Sequence, residues 1–158
     1  MAPPRQHHYS VKTVWSGAAE GPARTYNNYS RDHVFEISGK PDLMGSADPA
    51  FLGDPGKHNP EDLLVASLSA CHMLWFLHLA TDNGIEVVAY TDVANGTMEM
   101  KSNGSGHFTN VTLKPVVIIE DASQTDMAVA LHDKAHKMCF VAASMNFPVE
   151  HHPEIIAA

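Results

Sequence analysis

Residues Tyr9 to Trp15, YSVKTVW, alternate apolar and polar side chains and stop at Ser16-Gly17, the pattern of a half-buried strand closed by a turn. RTYNNYS and HVFEIS continue in the same style up to Gly39-Lys40-Pro41, so a meander of three short strands is expected at the N-terminus. Residues 41–60 carry four Pro and three Gly and read as a loop. At residue 59 the pattern changes. Asn59 suits a helix N-cap, Pro60 the first helical position, and Glu61 and Asp62 the first turn, where the helix dipole favours anions. The helix runs apolar on every side from Leu63 to Ala80, and Asn83-Gly84 ends it. Two long β-like stretches follow, IEVVAYTDVANGTMEM and HFTNVTLKPVVIIE, joined by a hairpin loop in KSNGSG. A second helix, with Ser123 or Thr125 as its cap, repeats Met127, Leu131, Ala135, Met138, Ala142 and Met145 on one continuous face. The tail NFPVEHHPEII adds a short last strand.

The order β-β-β-α-β-β-α-β lacks the βαβ alternation of a parallel sheet, which predicts an α+β fold with mostly antiparallel strands. At 158 residues the chain is read as a single domain, 1–158, with its core at about 9–150. The formal charge of -8 and the lack of a basic stripe argue against nucleic acid as a partner. The Leu63–Ala80 stretch approaches membrane length, but it holds Ser67, Ser69, His72 and His78, so a helix buried in protein explains it better than a membrane span. MAPPRQHHYS does not resemble a signal peptide, so a cytoplasmic location is expected. Eleven histidines predict solubility that changes between about pH 7 and pH 5.5.

The two cysteines lie one on each helix, in LSACHML and HKMCFVAA, 68 positions apart. Spacing alone leaves three readings open. Both are buried small hydrophobes; or they form a peroxidatic and resolving thiol pair; or they join a metal site built from His132, His136 and Cys139, with Cys71 and His72 as further ligands. Cys71 with His72 as its base is weaker, because adjacent helical positions diverge by about 100°. A mid-helix thiol in apolar surroundings also needs a cation brought to it before it can act as a thiolate.

NPEDLLVASLSAC resembles the Asn-Pro-Glu-x-Leu…Ala-Cys segment of the OsmC/Ohr family, the osmotically inducible and organic hydroperoxide resistance proteins, and AHKMCFVAASM resembles its second cysteine helix. The resemblance covers roughly residues 10 to 150. It implies an intertwined homodimer that reduces organic hydroperoxides, and hydrogen peroxide more slowly, without metal or organic cofactor. It further implies Cys71 as the peroxidatic cysteine, Cys139 as the resolving one, Arg31 (or Arg24 in its place) as the thiolate's cation and Glu61 as the group that orients the arginine. An external thiol or dithiol would be the reductant. A homodimer also fits the sequence geometry, since ten residues of helix separate Glu61 from Cys71 by about 15 Å. Many members place proline after the second cysteine. Here Phe140 follows Cys139, and the helical pattern runs on through Met145. Trp75, Phe76, Met73 and Met138 are candidates for an apolar pocket, and equally for the core. The alternative of another class is a lipid- or small-molecule-binding module whose thiols are structural.

Overall fold

The computed structural model describes Met1 and residues 3–158. They fall into two compact units, Met1–Leu63 and Leu64–Ala158. The architecture is α+β, as the sequence pattern predicts.

In the first unit β1 (Lys12–Val14), β2 (His33–Glu36) and β3 (Leu43–Gly45) form an antiparallel sheet in the order β1-β2-β3. RTYNNYS, expected as a strand, forms turns instead. Asn28 N–H donates to the Thr25 carbonyl at 3.1 Å, and the Arg31 guanidinium takes the carbonyls of Tyr26 and Tyr29, so these backbone acceptors are satisfied without a sheet partner. The third strand comes from the predicted loop. Gly45 lies opposite His33, and a Cβ at Gly45 would come within 2.4 Å of His33 Nε2, so the side chain and the strand fit only because position 45 has none. The rest of the loop closes tightly. Asp48 Oδ1 accepts from Ala50 N–H at 2.7 Å, buried Ser46 Oγ accepts from Asp54 N–H at 3.0 Å, and a Cβ at Gly53 would meet the Ala47 carbonyl oxygen at 1.6 Å.

Helix α1 (Pro60–Asp82) starts as predicted: Asn59 Oδ1 accepts from Asp62 N–H at 2.8 Å. It stops at Gly84, whose φ of 69° is left-handed, with Ile85 N–H returning to the Ala80 carbonyl at 2.9 Å. Each of the two expected long strands is broken into two, giving β4 (Val87–Asp92), β5 (Asn95–Met100), β6 (Gly106–Leu113) and β7 (Pro115–Ile119). The breaks share a cause. Pro115 has no N–H to continue a ladder, and Asp92 Oδ1 accepts from Lys114 N–H at 2.7 Å, which pins the two corners together. The hairpin loop predicted in KSNGSG joins β5 to β6, with Gly104 at φ 84°. Pro153 likewise splits the tail into β8 (Val149–His151) and β9 (Glu154–Ala157). The sheets β4-β7-β9 and β5-β6-β8 are antiparallel at their first pairs and parallel at β7/β9 and β6/β8.

Helix α2 (Thr125–Met138) has no side-chain cap; Thr125 Oγ donates to the Ala122 carbonyl, and Asp121 caps the short turn before it. The expected continuous helix through Met145 is interrupted. Cys139 has extended backbone, φ -70° and ψ 107°, and a separate one-turn helix α3 (Phe140–Ala143) follows. The buried face of α2 is Ala128, Leu131, His132 and Ala135, and Met127 and Met138 lie exposed. This face packs with Phe76, Leu79 and Ala80 of α1 and with Ile85, Val117 and Ile119 in the main core of the second unit. A second cluster gathers Leu68, Val111 and Leu113.

Candidate functional site

The break at Cys139 has a direct consequence for its sulfur. Leaving the helix there turns Cys139 into the cap of α3, and its Sγ accepts from Ala142 N–H at 3.4 Å. The side chain is buried, and the Cys71 thiol of α1 is its neighbour. Both cysteines are free, and Cys71 is only half-buried. Burial, and then the neighbouring Cys71 thiol, push the Cys139 thiol up to about 11, so at neutral pH it is held protonated. The pair is therefore asymmetric: Cys71 is half-buried, and its neighbour Cys139 is enclosed.

Trp75 packs edge-on against Phe140, the residue after Cys139, with ring centres 5.4 Å apart. Leu74, Trp75 and His78 line an apolar hollow of about 230 Å³. Of the four pocket candidates, Phe76 is a core residue, fully buried and stacked on His132 with ring centres 4.0 Å apart. Met73 is half-buried and Met138 exposed. Leu74 and Phe140, exposed large hydrophobics, were not among the candidates; their apolar character was visible in the sequence, but their exposure was not.

His72, next to Cys71, turns into the interior. Its Nε2 is 2.9 Å from His132 Nδ1, and its Nδ1 is buried without a partner, so it makes no bond to Cys71. His132 is fully buried as well. Among the described residues, no group of three or more His, Cys, Asp or Glu is arranged to hold a metal ion. His132 is engaged with His72, and Cys139 Sγ with Ala142 N–H.

Arg31 and Glu61 belong to the first unit. The Arg31 guanidinium lies 3.8 Å from the centre of the Tyr29 ring and 4.9 Å from that of Tyr26, donating to the carbonyls of both residues. It lines a polar cavity of about 480 Å³ with Glu20, Asn28, Asp32 and Asp54. Beneath it, Lys57 forms ion pairs with Asp32 and, at 3.4 Å, with Asp54. Arg24 is exposed. Glu61 stands in the first turn of α1, and its Oε2 is buried with no hydrogen-bond partner. An unpaired buried carboxylate oxygen is costly.

A family model described as OsmC-like protein matches residues 53–153, the stretch that carries both cysteines. The chain belongs to the OsmC-like family. Solved structures agree with this assignment over nearly the whole chain. An OsmC-like protein of unknown function from Vibrio cholerae O1 biovar eltor is 33% identical, covering 96% of this chain and 100% of that one at a TM-score of 0.82. An organic hydroperoxide resistance protein OsmC from Legionella pneumophila shares the fold at 18% identity, covering 96% and 98% at a TM-score of 0.69. The organic hydroperoxide resistance protein OhrB of Bacillus subtilis does so at 22% identity, covering 94% and 98% at 0.59. Among curated proteins, none matches the chain.

Proposed function

We propose that this OsmC-like protein is a thiol-dependent peroxidase that reduces organic hydroperoxides, acting as one functional domain in a cytoplasmic homodimer. The neighbourhood of a half-buried and an enclosed free thiol carries this reading. The Cys71 thiolate attacks the distal peroxide oxygen; the O–O bond breaks, the alcohol leaves with a proton, and Cys71 becomes a sulfenic acid. Cys139 then attacks the Cys71 sulfur, the S–O bond breaks, and water leaves as the disulfide forms. An external thiol or dithiol restores both cysteines. Arg31 is assigned to stabilise the Cys71 thiolate and Glu61 to hold the arginine. The apolar hollow at Leu74 and Trp75, with Phe140 beside it, suits the organic part of a hydroperoxide better than a small polar peroxide. The names of the Legionella and Bacillus proteins support the same substrate class.

Stopped-flow consumption of cumene hydroperoxide with a dithiol reductant tests the claim. Cys71→Ser is expected to abolish turnover, and equal rates for wild type and variant would refute it. Cys139→Ser keeps the first turnover and accumulates a trappable sulfenic acid. The homodimer is supported by the apolar side chains left exposed in the second unit: Leu74 on α1, Phe140 on α3, and Met98 and Met100 on β5. Light scattering is expected to give twice the 17.2 kDa chain mass, and Leu74→Glu to shift it toward the monomer.

A further inference from the structure

We propose that the buried His72–His132 hydrogen bond is a positioning tie that holds Cys71 and Cys139 at the separation needed to form a disulfide, which rests on the thiol-pair reading above. Each histidine is coupled in sequence to one of the thiols. His72 directly follows Cys71 on α1. His132 lies on the buried face of α2, and Cys139 follows seven residues later, at the extended residue that ends that helix. The two helices thus meet at His72 and His132, 2.9 Å apart, and Cys139 at the end of α2 has the Cys71 thiol of α1 as its neighbour.

The apolar packing around these points does not fix them. Phe76, Leu79 and Ala80 bury against Ala128, Leu131 and Ala135, and apolar contact tolerates small slides. A ring-to-ring hydrogen bond does not, because its strength falls steeply with distance and angle. Both imidazoles are also clamped. His132 stacks on Phe76 with ring centres 4.0 Å apart, and His151 of β8 lies 5.3 Å from His72 on a tilted plane.

As a stability device the pair is poor. A neutral imidazole has one N–H and one lone pair, so in this pair one outer nitrogen is left as a donor and the other as an acceptor. The outer nitrogens, His72 Nδ1 and His132 Nε2, are both buried without partners. Two leucines would fill the space without either penalty. What the imidazoles supply and leucines cannot is direction.

The test is the equilibrium of the reduced protein with oxidised and reduced glutathione at pH 7, which gives the effective concentration of one thiol at the other. The chemistry is balanced: the thiol pair and one oxidised glutathione give the protein disulfide and two reduced glutathiones. The double variant His72→Leu/His132→Leu leaves no unpaired nitrogen and is expected to melt at or above the wild-type temperature, yet to show an effective concentration about tenfold lower, equivalent to about 30 mV. His132→Asn keeps a polar atom where Nδ1 stands and is expected to recover to within about threefold of wild type. His132→Leu alone strands His72 and is expected to lose both stability and effective concentration. A folded double variant with the wild-type effective concentration would overturn the proposal. So would a double variant and His132→Asn that fall equally. Because the measurement uses no peroxide, a protein inactive toward hydroperoxides but with a high, histidine-dependent effective concentration would refute the peroxidase and leave the tie standing.

Discussion

At the residue scale the decisive contrast is between two cysteines of similar sequence context. Both sit among small and apolar neighbours, and nothing along the chain distinguishes them chemically. Burial distinguishes them: Cys139 is enclosed and its thiol pushed up to about 11, whereas Cys71 reaches the surface. The resolving step therefore draws on a scarce thiolate. Since a raised pKa leaves the thiol protonated across the neutral range, closure of the disulfide should quicken about tenfold per pH unit from pH 7 to pH 9. Fluorescence of Trp75, close to Cys139 through Phe140, can follow closure after a single equivalent of peroxide; a flat profile would show that Cys139 is not the group limiting this step. His132 is the other residue whose environment misled. Its spacing was legible, but a histidine four residues from His136 has the same letter whether wet or buried, and only the approach of His72 and Phe76 decides.

At the element scale the clearest difference from the sequence pattern is the break at Cys139. The apolar repeat Met127, Leu131, Ala135, Met138, Ala142, Met145 is continuous, because period alone cannot register a single extended residue between two helical turns. What breaks the helix is not a proline. Cys139 has the extended backbone that a residue before proline adopts, and Phe140 occupies the first position of α3, where an N–H has no intrahelical partner. Phe140→Pro is accordingly expected to fold normally. Loss of the edge-on Trp75 contact, about 1 kcal/mol, is offset by a similar entropic gain in the unfolded chain. Its melting temperature should stay within a few degrees of wild type, and a large loss would mean that Phe140 N–H or its ring has a partner stronger than Trp75. The turn chemistry was more legible: Asn59, Gly84 and Gly104 each do what their residue type predicts. The misplaced third strand fails for the opposite reason, since Leu43–Gly45 is too short to carry a period and is recruited by pairing with β2.

At the scale of the whole molecule, eleven histidines predict sensitivity to acid, and the structure says which of them carry it. Burial holds His72 down to about 4 and His132 to about 3; the positive potentials of His151 and His136 add to it at His72, and those of His72 and then His151 at His132. Around them stand His136 and Lys137 on α2, His151 on β8, and Asp133, whose carboxylate accepts from His151 at 2.8 Å. Both groups are neutral when folded but take up protons near pH 6.5 when unfolded. The unfolded chain thus binds more protons between about pH 6.5 and pH 4, and stability falls as pH drops through that window. The loss is on the order of 3 kcal/mol for His72, at about 1.4 kcal/mol per unit. Urea melts at pH 7 and pH 4.5 should show it, and the double leucine variant should show distinctly less; equal losses would place the acid sensitivity elsewhere.

The sequence by itself determined the long apolar helix with its cap and stop, the β5–β6 hairpin, the α+β class and the family, because these depend on local period, turn chemistry and a motif contiguous in the chain. Tertiary structure alone decided that two cysteines 68 residues apart become neighbours, that one is enclosed and the other half-buried, and that two histidines 60 residues apart bond in the core. These are properties of approach between distant segments. Burial and dielectric, which set the chemistry of a thiol or an imidazole, exist only once the segments have met.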